Sequence, residues 1–165
     1  MGLSSRPWVV MDSFSVISAS PEQTDRIGAL VAQRLTPGDA VLLNGDLAAG
    51  KTRLVKAVVA ALGSTDLVTS PSFALAQFYK ADRATVLHID TYRLSGVEEY
   101  RDLALEDYAA DAITLIEWGS AVESEFPAHL SIRFESLGGS ERQLTFSSPV
   151  ERWTALFPEL QKDLS

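Results

Sequence analysis

Apolar residues recur along this chain in three rhythms, and each predicts a different kind of element. Ile27, Leu30, Val31 and Leu35 are spaced for one face of a helix. Ser20 announces that helix as its cap, Pro21 suits its first turn, Gln23 follows three residues after the cap, and Pro37-Gly38 end it. Leu54, Val55, Val58, Val59 and Leu62 repeat the spacing up to Gly63. Short unbroken apolar runs at 40–43 and 113–116, flanked by polar or turn residues, read as buried strands. Strict alternation at 130–135 and 142–147 around Gly138-Gly139 predicts a two-stranded antiparallel unit. The runs 73–79 and 85–89, separated by a turn at Asp82-Arg83, predict an antiparallel pair at a sheet edge. Short helices are expected at 97–103, 105–109 and 122–126. Trp153, Leu156, Phe157 and Leu160 mark a terminal helix that either docks on the domain or stays mobile.

Strand, glycine loop and helix stand in that order between residues 40 and 62, and the loop carries the chemistry. Gly45-Asp46-Leu47-Ala48-Ala49-Gly50-Lys51-Thr52 matches the pattern G-x-x-x-x-G-K-[ST] at every fixed position. Gly45 can take the turn out of the strand, and Gly50 lets backbone approach a phosphate with no side chain in the way. Successive N–H groups at the start of a helix favour an anion, Lys51 can reach the β and γ phosphates, and the Thr52 hydroxyl can ligate Mg²⁺. The expected ligands are ATP and Mg²⁺, with Arg53 completing the nucleotide-binding segment. The expected architecture is α/β, a P-loop NTPase-like three-layer fold with a mixed sheet.

Other polar positions fall where such a site needs them. Glu117 follows the apolar run 113–116 and would emerge at the carboxyl end of a buried strand, able to hold Mg²⁺ or orient water. Asp90 ends another apolar run and could serve as base, water-orienting group or indirect magnesium partner, or simply cap a turn. His88 alternates with Leu87 and Ile89 and reads equally as a hydrogen-bonded core histidine. Arg93 could meet phosphate or pair with an acid. Ser70 and Ser72, around Pro71, form either a turn or a switch segment that responds to the γ-phosphate. Trp118 could pack on the core or shape the rim.

Composition narrows the picture. The 165 residues suit a single domain over 1–165, with possible flexible or docked tails at 1–14 and 150–165. No cysteine is present, which removes thiolate metal sites and thiol chemistry and leaves oxygen ligands for any metal. No long apolar span or signal peptide is recognisable, which favours the cytoplasm and no membrane association. A net charge of −8 disfavours autonomous binding to a nucleic-acid backbone.

Four segments together resemble the bacterial TsaE family of small ATPases in tRNA threonylcarbamoyladenosine biosynthesis. They are the 45–52 loop, Val68-Thr69-Ser70-Pro71-Ser72-Phe73, His88-Ile89-Asp90-Thr91-Tyr92-Arg93-Leu94 and Ile116-Glu117-Trp118, in the family's order. The resemblance implies that Lys51 and Thr52 serve phosphate and Mg²⁺, that Glu117 serves the metal, that Asp90 matters for hydrolysis and that Ser70 and Ser72 lie in a switch-like loop. It implies TsaB and TsaD homologues as partners, with tRNA reached mainly through that complex. Three departures from the family pattern stand out: Ala48 replaces a glycine, Ser72 a threonine, and the pair Gly119-Ser120 a frequent proline-glutamate pair. The same loop would also suit a small-molecule kinase, or a nucleotide-dependent scaffold with little chemistry.

Overall fold

The apolar runs at 40–43 and 113–116 call for strands buried on two faces, and the computed structural model has them at the centre of its sheet. The structure describes residues 12–46, 50–68, 76–92 and 94–164. Among the described residues the elements run β1 (Ser13–Ser18), α1 (Pro21–Ala32), β2 (Ala40–Gly45), α2 (Lys51–Ala61), β3 (Ala76–Lys80) and β4 (Thr85–Asp90). They continue with α3 (Val97–Asp102), α4 (Glu106–Asp111), β5 (Ile113–Glu117), a 3₁₀ segment (Gly119–Glu125), β6 (Leu130–Gly138), β7 (Glu141–Ser147), α5 (Glu151–Thr154) and α6 (Phe157–Leu164).

The seven strands form one sheet in the order β1-β7-β6-β2-β5-β4-β3. The central neighbours β6, β2, β5 and β4 are parallel, while β3, β7 and β1 join antiparallel, so the sheet is mixed as expected. Alternation along the strands sends Val41, Leu43, Val86, Ile113, Leu115, Ile132 and Phe134 into a larger core cluster shared with α1, α2 and α6. Leu42, Leu87, Ile89 and Ile116 point the other way into a second cluster with Tyr100, Leu105 and Val122. Helices therefore cover both faces, which gives three layers.

Several elements differ from the sequence reading for physical reasons. β1 was not foreseen: Phe14, Val16 and Ser18 are buried in alternation, but Ile17 faces outward at 49% exposure and blurs the apolar/polar rhythm. Its partner β7 lies far along the chain, and Phe14 stacks on Phe146 at 4.8 Å between ring centroids. The helix expected at 122–126 is instead a 3₁₀ segment kinked at Val122. The terminal helix is two short helices, and Trp153, Phe157 and Leu160 from them are buried in the larger cluster. β3 starts at Ala76; the rest of the strand expected at 73–79 lies outside the described residues.

Register is what assembles a site. Leu43 of β2 and Asp90 of β4 both sit opposite Glu117 of β5, so the carboxyl ends of three adjacent parallel strands finish side by side. This is the edge of an α/β sheet where ligands bind.

Candidate functional site

Two helices in the same layer begin differently. α1 is closed by its cap: Ser20 Oγ accepts from Gln23 N at 3.2 Å, and Gln23 Oε1 accepts from Ala19 N at 2.7 Å. α2 begins at Lys51 directly after Gly50 and has no side-chain cap. The N–H groups of Lys51, Thr52 and Arg53 are thus at the positive end of a helix with no side chain of their own to satisfy them. Gly50 holds φ +105° and Gly45 holds φ +137°, conformations that L side chains rarely adopt. At Gly45 a Cβ would also stand 2.5 Å from the Phe134 carbonyl oxygen of β6, so both glycines are required by the path of the chain.

The Lys51 side chain folds back toward the end of β2. Its Nζ donates to Gly45 O at 2.7 Å and Asp46 O at 2.9 Å, and it lies 4.2 Å from the centroid of the Trp118 ring. The residue is only 4% exposed. Burial pulls the ammonium below its ordinary value, while Glu117, Asp90 and Asp46 act in the opposite direction. The lysine is a cation held by two carbonyls and an aromatic face, beside three acids.

Thr52 and Glu117 meet across the gap between α2 and β5. The Thr52 hydroxyl is 2.9 Å from Glu117 Oε1 and 3.1 Å from Oε2. Glu117 also meets His88 Nε2, 2.7 Å from Oε2, and its side chain is 5% exposed. Asp90 lies next to Glu117 along the strand ends and accepts from Tyr92 N at 2.9 Å, so it does cap a turn. Burial pushes its carboxyl up, opposed by the Tyr92 N–H; Glu117 adds to the rise, and His88 and Lys51 counter it. Lys51, Thr52, Asp90 and Glu117 therefore converge on one sheet edge.

Some residues behave otherwise. The Arg53 guanidinium turns away to α1 and forms a two-pronged pair with Asp25 at 2.9 and 2.7 Å. Leu47, Ala48, Ala49, Ser70, Ser72 and Arg93 lie outside the described residues. Trp118 sits at the rim with φ +64°, held by its N–H on Leu43 O at 2.7 Å and by Thr91 Oγ1 donating to its carbonyl at 2.7 Å. Its ring meets Tyr92 at 4.9 Å between centroids. Thr91 and Asn44 were not singled out from sequence. Asn44 Oδ1 accepts from Ser120 N at 3.0 Å, and only their polarity near the strand ends could have signalled them. Gly119 packs so close that a Cβ there would come within 2.7 Å of Leu42 Cβ.

With this geometry in view, a model of the family described as "Threonylcarbamoyl adenosine biosynthesis protein TsaE" matches residues 18–144. The chain belongs to the TsaE family. The tRNA threonylcarbamoyladenosine biosynthesis protein TsaE of Bacillus subtilis (strain 168) is 35% identical over 147 residues, covering 88% of this chain and 92% of that protein. Its counterpart in Treponema pallidum (strain Nichols) is 37% identical over 131 residues, covering 78% and 96%. The crystal structure of Bacillus subtilis YdiB is 29% identical, with a TM-score of 0.75 and coverage of 93% of this chain and 97% of that one. The sheet order and the two helical layers are thus a TsaE-type version of the P-loop α/β fold. The matched TsaE region contains every residue of the convergent site.

Proposed function

We propose that this chain is a Mg²⁺-dependent ATPase that works with TsaB and TsaD homologues in the threonylcarbamoylation of tRNA adenosine, in the cytoplasm. The observation that carries the reading is the convergence of Lys51, Thr52 and Glu117 beside an uncapped helix start, within a chain of the TsaE family.

The donor set fits the metal. Thr52 and Glu117 offer a hydroxyl and a carboxylate within hydrogen-bond distance of each other, hard oxygen ligands of the kind Mg²⁺ takes when substrate phosphates supply others. Held by Thr52 and Glu117, Mg²⁺ would neutralise charge on the phosphate oxygens. The rest is done by the protein. The amides of residues 50–53 receive phosphate oxygens, and Lys51 exchanges the carbonyls of Gly45 and Asp46 for phosphate. Asp90 orients water toward the γ-phosphorus; the new oxygen–phosphorus bond forms as the bond to the bridging oxygen breaks, releasing ADP and phosphate.

Charge supports the partner-borne route to tRNA. A net charge of −8 repels a nucleic-acid backbone, so partners that hold the RNA fit better than direct binding. Arg101, the only basic residue between Gly96 and Asp111, is engaged with Glu125 at 3.0 Å, which favours hydrolysis over a kinase with a basic lid in that segment.

The test combines the chain with its TsaB and TsaD homologues and tRNA, and follows phosphate release and adenosine modification. Repeated modification and stimulated release are expected with the normal chain and loss of both with Lys51→Ala. Modification that cycles equally well without this chain would contradict the pathway reading, and release unchanged in Lys51→Ala would contradict the mechanism.

A further inference from the structure

A buried chain of side chains reaches Glu117 from the far edge of the sheet. Gln77 and Tyr79 belong to the edge strand β3, His88 to β4 and Glu117 to β5. Tyr79 donates its hydroxyl to Gln77 Oε1 at 2.5 Å, the Tyr79 hydroxyl oxygen lies 3.3 Å from His88 Nδ1, and His88 Nε2 lies 2.7 Å from Glu117 Oε2. His88 is fully buried and Tyr79 is 4% exposed. Strand alternation explains the alignment. Val86 packs under α1 and α2, so His88, two residues on, shares that face; Ile113 and Leu115 likewise direct Glu117 toward α2 and Thr52.

We infer that His88 is a positioning residue for Glu117, locking the carboxylate in the orientation that meets Thr52. The inference rests on the proposed role of Glu117 beside the metal. A carboxylate rotates over a broad range about its last bond, so one contact with Thr52 leaves its plane loosely set. The imidazole N–H on Oε2 supplies a second, rigid contact from a ring that the core around it already holds. One carboxylate oxygen is thereby occupied by His88, and the Thr52-facing side of the group is kept in place for an incoming cation. A histidine serving only the core would need some buried acceptor. Here the acceptor is the acid that also meets the phosphate-loop threonine. Groups of this kind behind a metal ligand are worth about 10- to 100-fold in metal affinity.

The experiment measures Mn²⁺ uptake by electron paramagnetic resonance, in the full chain with a non-hydrolysable ATP analogue. Analogue affinity without metal is measured in parallel. His88→Phe should weaken Mn²⁺ by about tenfold or more while metal-free analogue binding holds. His88→Gln, whose amide N–H can reach Glu117, should stay within about threefold of the normal chain, whereas the shorter His88→Asn should behave like His88→Phe. Should His88→Phe fail to fold, the Gln and Asn variants decide alone, because both put an amide in the core and only one spans the distance. Equal Mn²⁺ affinity in all forms, or Gln no better than Asn, would overturn the inference. A normal chain that takes up the analogue but no Mn²⁺ would instead overturn the metal-side reading of Glu117, and this inference with it.

Discussion

The Thr52 hydroxyl and the Glu117 carboxylate, 65 residues apart in sequence, stand 2.9 Å from each other. That contact joins the first turn of α2 to the end of β5, and in the proposed mechanism it is the place a cation opens. Thr52→Val and Glu117→Gln should therefore separate metal dependence from nucleotide binding. Both variants are expected to lose hydrolysis by about 100-fold or more while keeping the affinity for ATP seen in the presence of EDTA. Phosphate-release kinetics with and without Mg²⁺ check this, and a normal Mg²⁺ response in Glu117→Gln would contradict it.

Asp90 gives a pH signature with a defined sign. Its folded-state pKa is raised above 3.8, chiefly by burial, so the ionised form is held at a cost that the unfolded chain does not bear. That cost is absent below the unfolded value, grows as pH rises through the interval between the two pKa values, and is complete above the folded one. Asp90→Asn keeps the acceptor for Tyr92 N–H and should raise the melting temperature of the nucleotide-free chain by about 1–3 °C at neutral pH. The gain should vanish below the ordinary Asp range. The same variant should lose hydrolysis, so a stability gain at every pH or retained activity would count against the assignment.

The two loop glycines should not be equivalent. Among the described residues Gly50→Ala meets nothing closer than the Phe134 ring at 3.8 Å, so its expected cost is that of the positive φ, about 1–2 kcal/mol. Gly45→Ala adds a clash with the Phe134 carbonyl at 2.5 Å and must displace β6. Urea denaturation should rank Gly45→Ala as clearly the more destabilising, and equal midpoints would contradict the described path of the chain.

Trp153 tests how the C-terminal helices contribute. The side chain is fully buried in the larger core, yet its indole Nε1 has no hydrogen-bond partner among the described residues. Trp153→Ala should destabilise by about 3–5 kcal/mol through the cavity it leaves. Trp153→Phe also discards the unpaired N–H and should cost less than about 2 kcal/mol. Denaturant midpoints of the two variants provide the comparison.

Much of this molecule is legible in its sequence, and the gaps have physical causes. The phosphate loop, the strands ending at Asp90 and Glu117 and the α1 cap at Ser20 are local patterns that need no distant partner to be recognised. β1 was hidden because outward Ile17 interrupts its alternation and its pairing with β7 is long-range. The role of His88 was ambiguous for a related reason: a histidine between Leu87 and Ile89 is compatible with any buried acceptor, and Glu117 lies 29 residues on. Trp118 could not be placed by residue type, because its left-handed backbone depends on bonds to Leu43 and Thr91 from other parts of the sheet edge.

The central claim is that the opening above Gly45, Gly50 and Lys51 receives a magnesium-bound triphosphate. Calorimetric titration of the purified chain with ATP and Mg²⁺ tests it most directly, with Lys51→Ala alongside. One binding event is expected, weaker when Mg²⁺ is withheld and weakened about 100-fold in the variant. No heat of binding in the normal chain, or an identical isotherm in Lys51→Ala, would contradict the account.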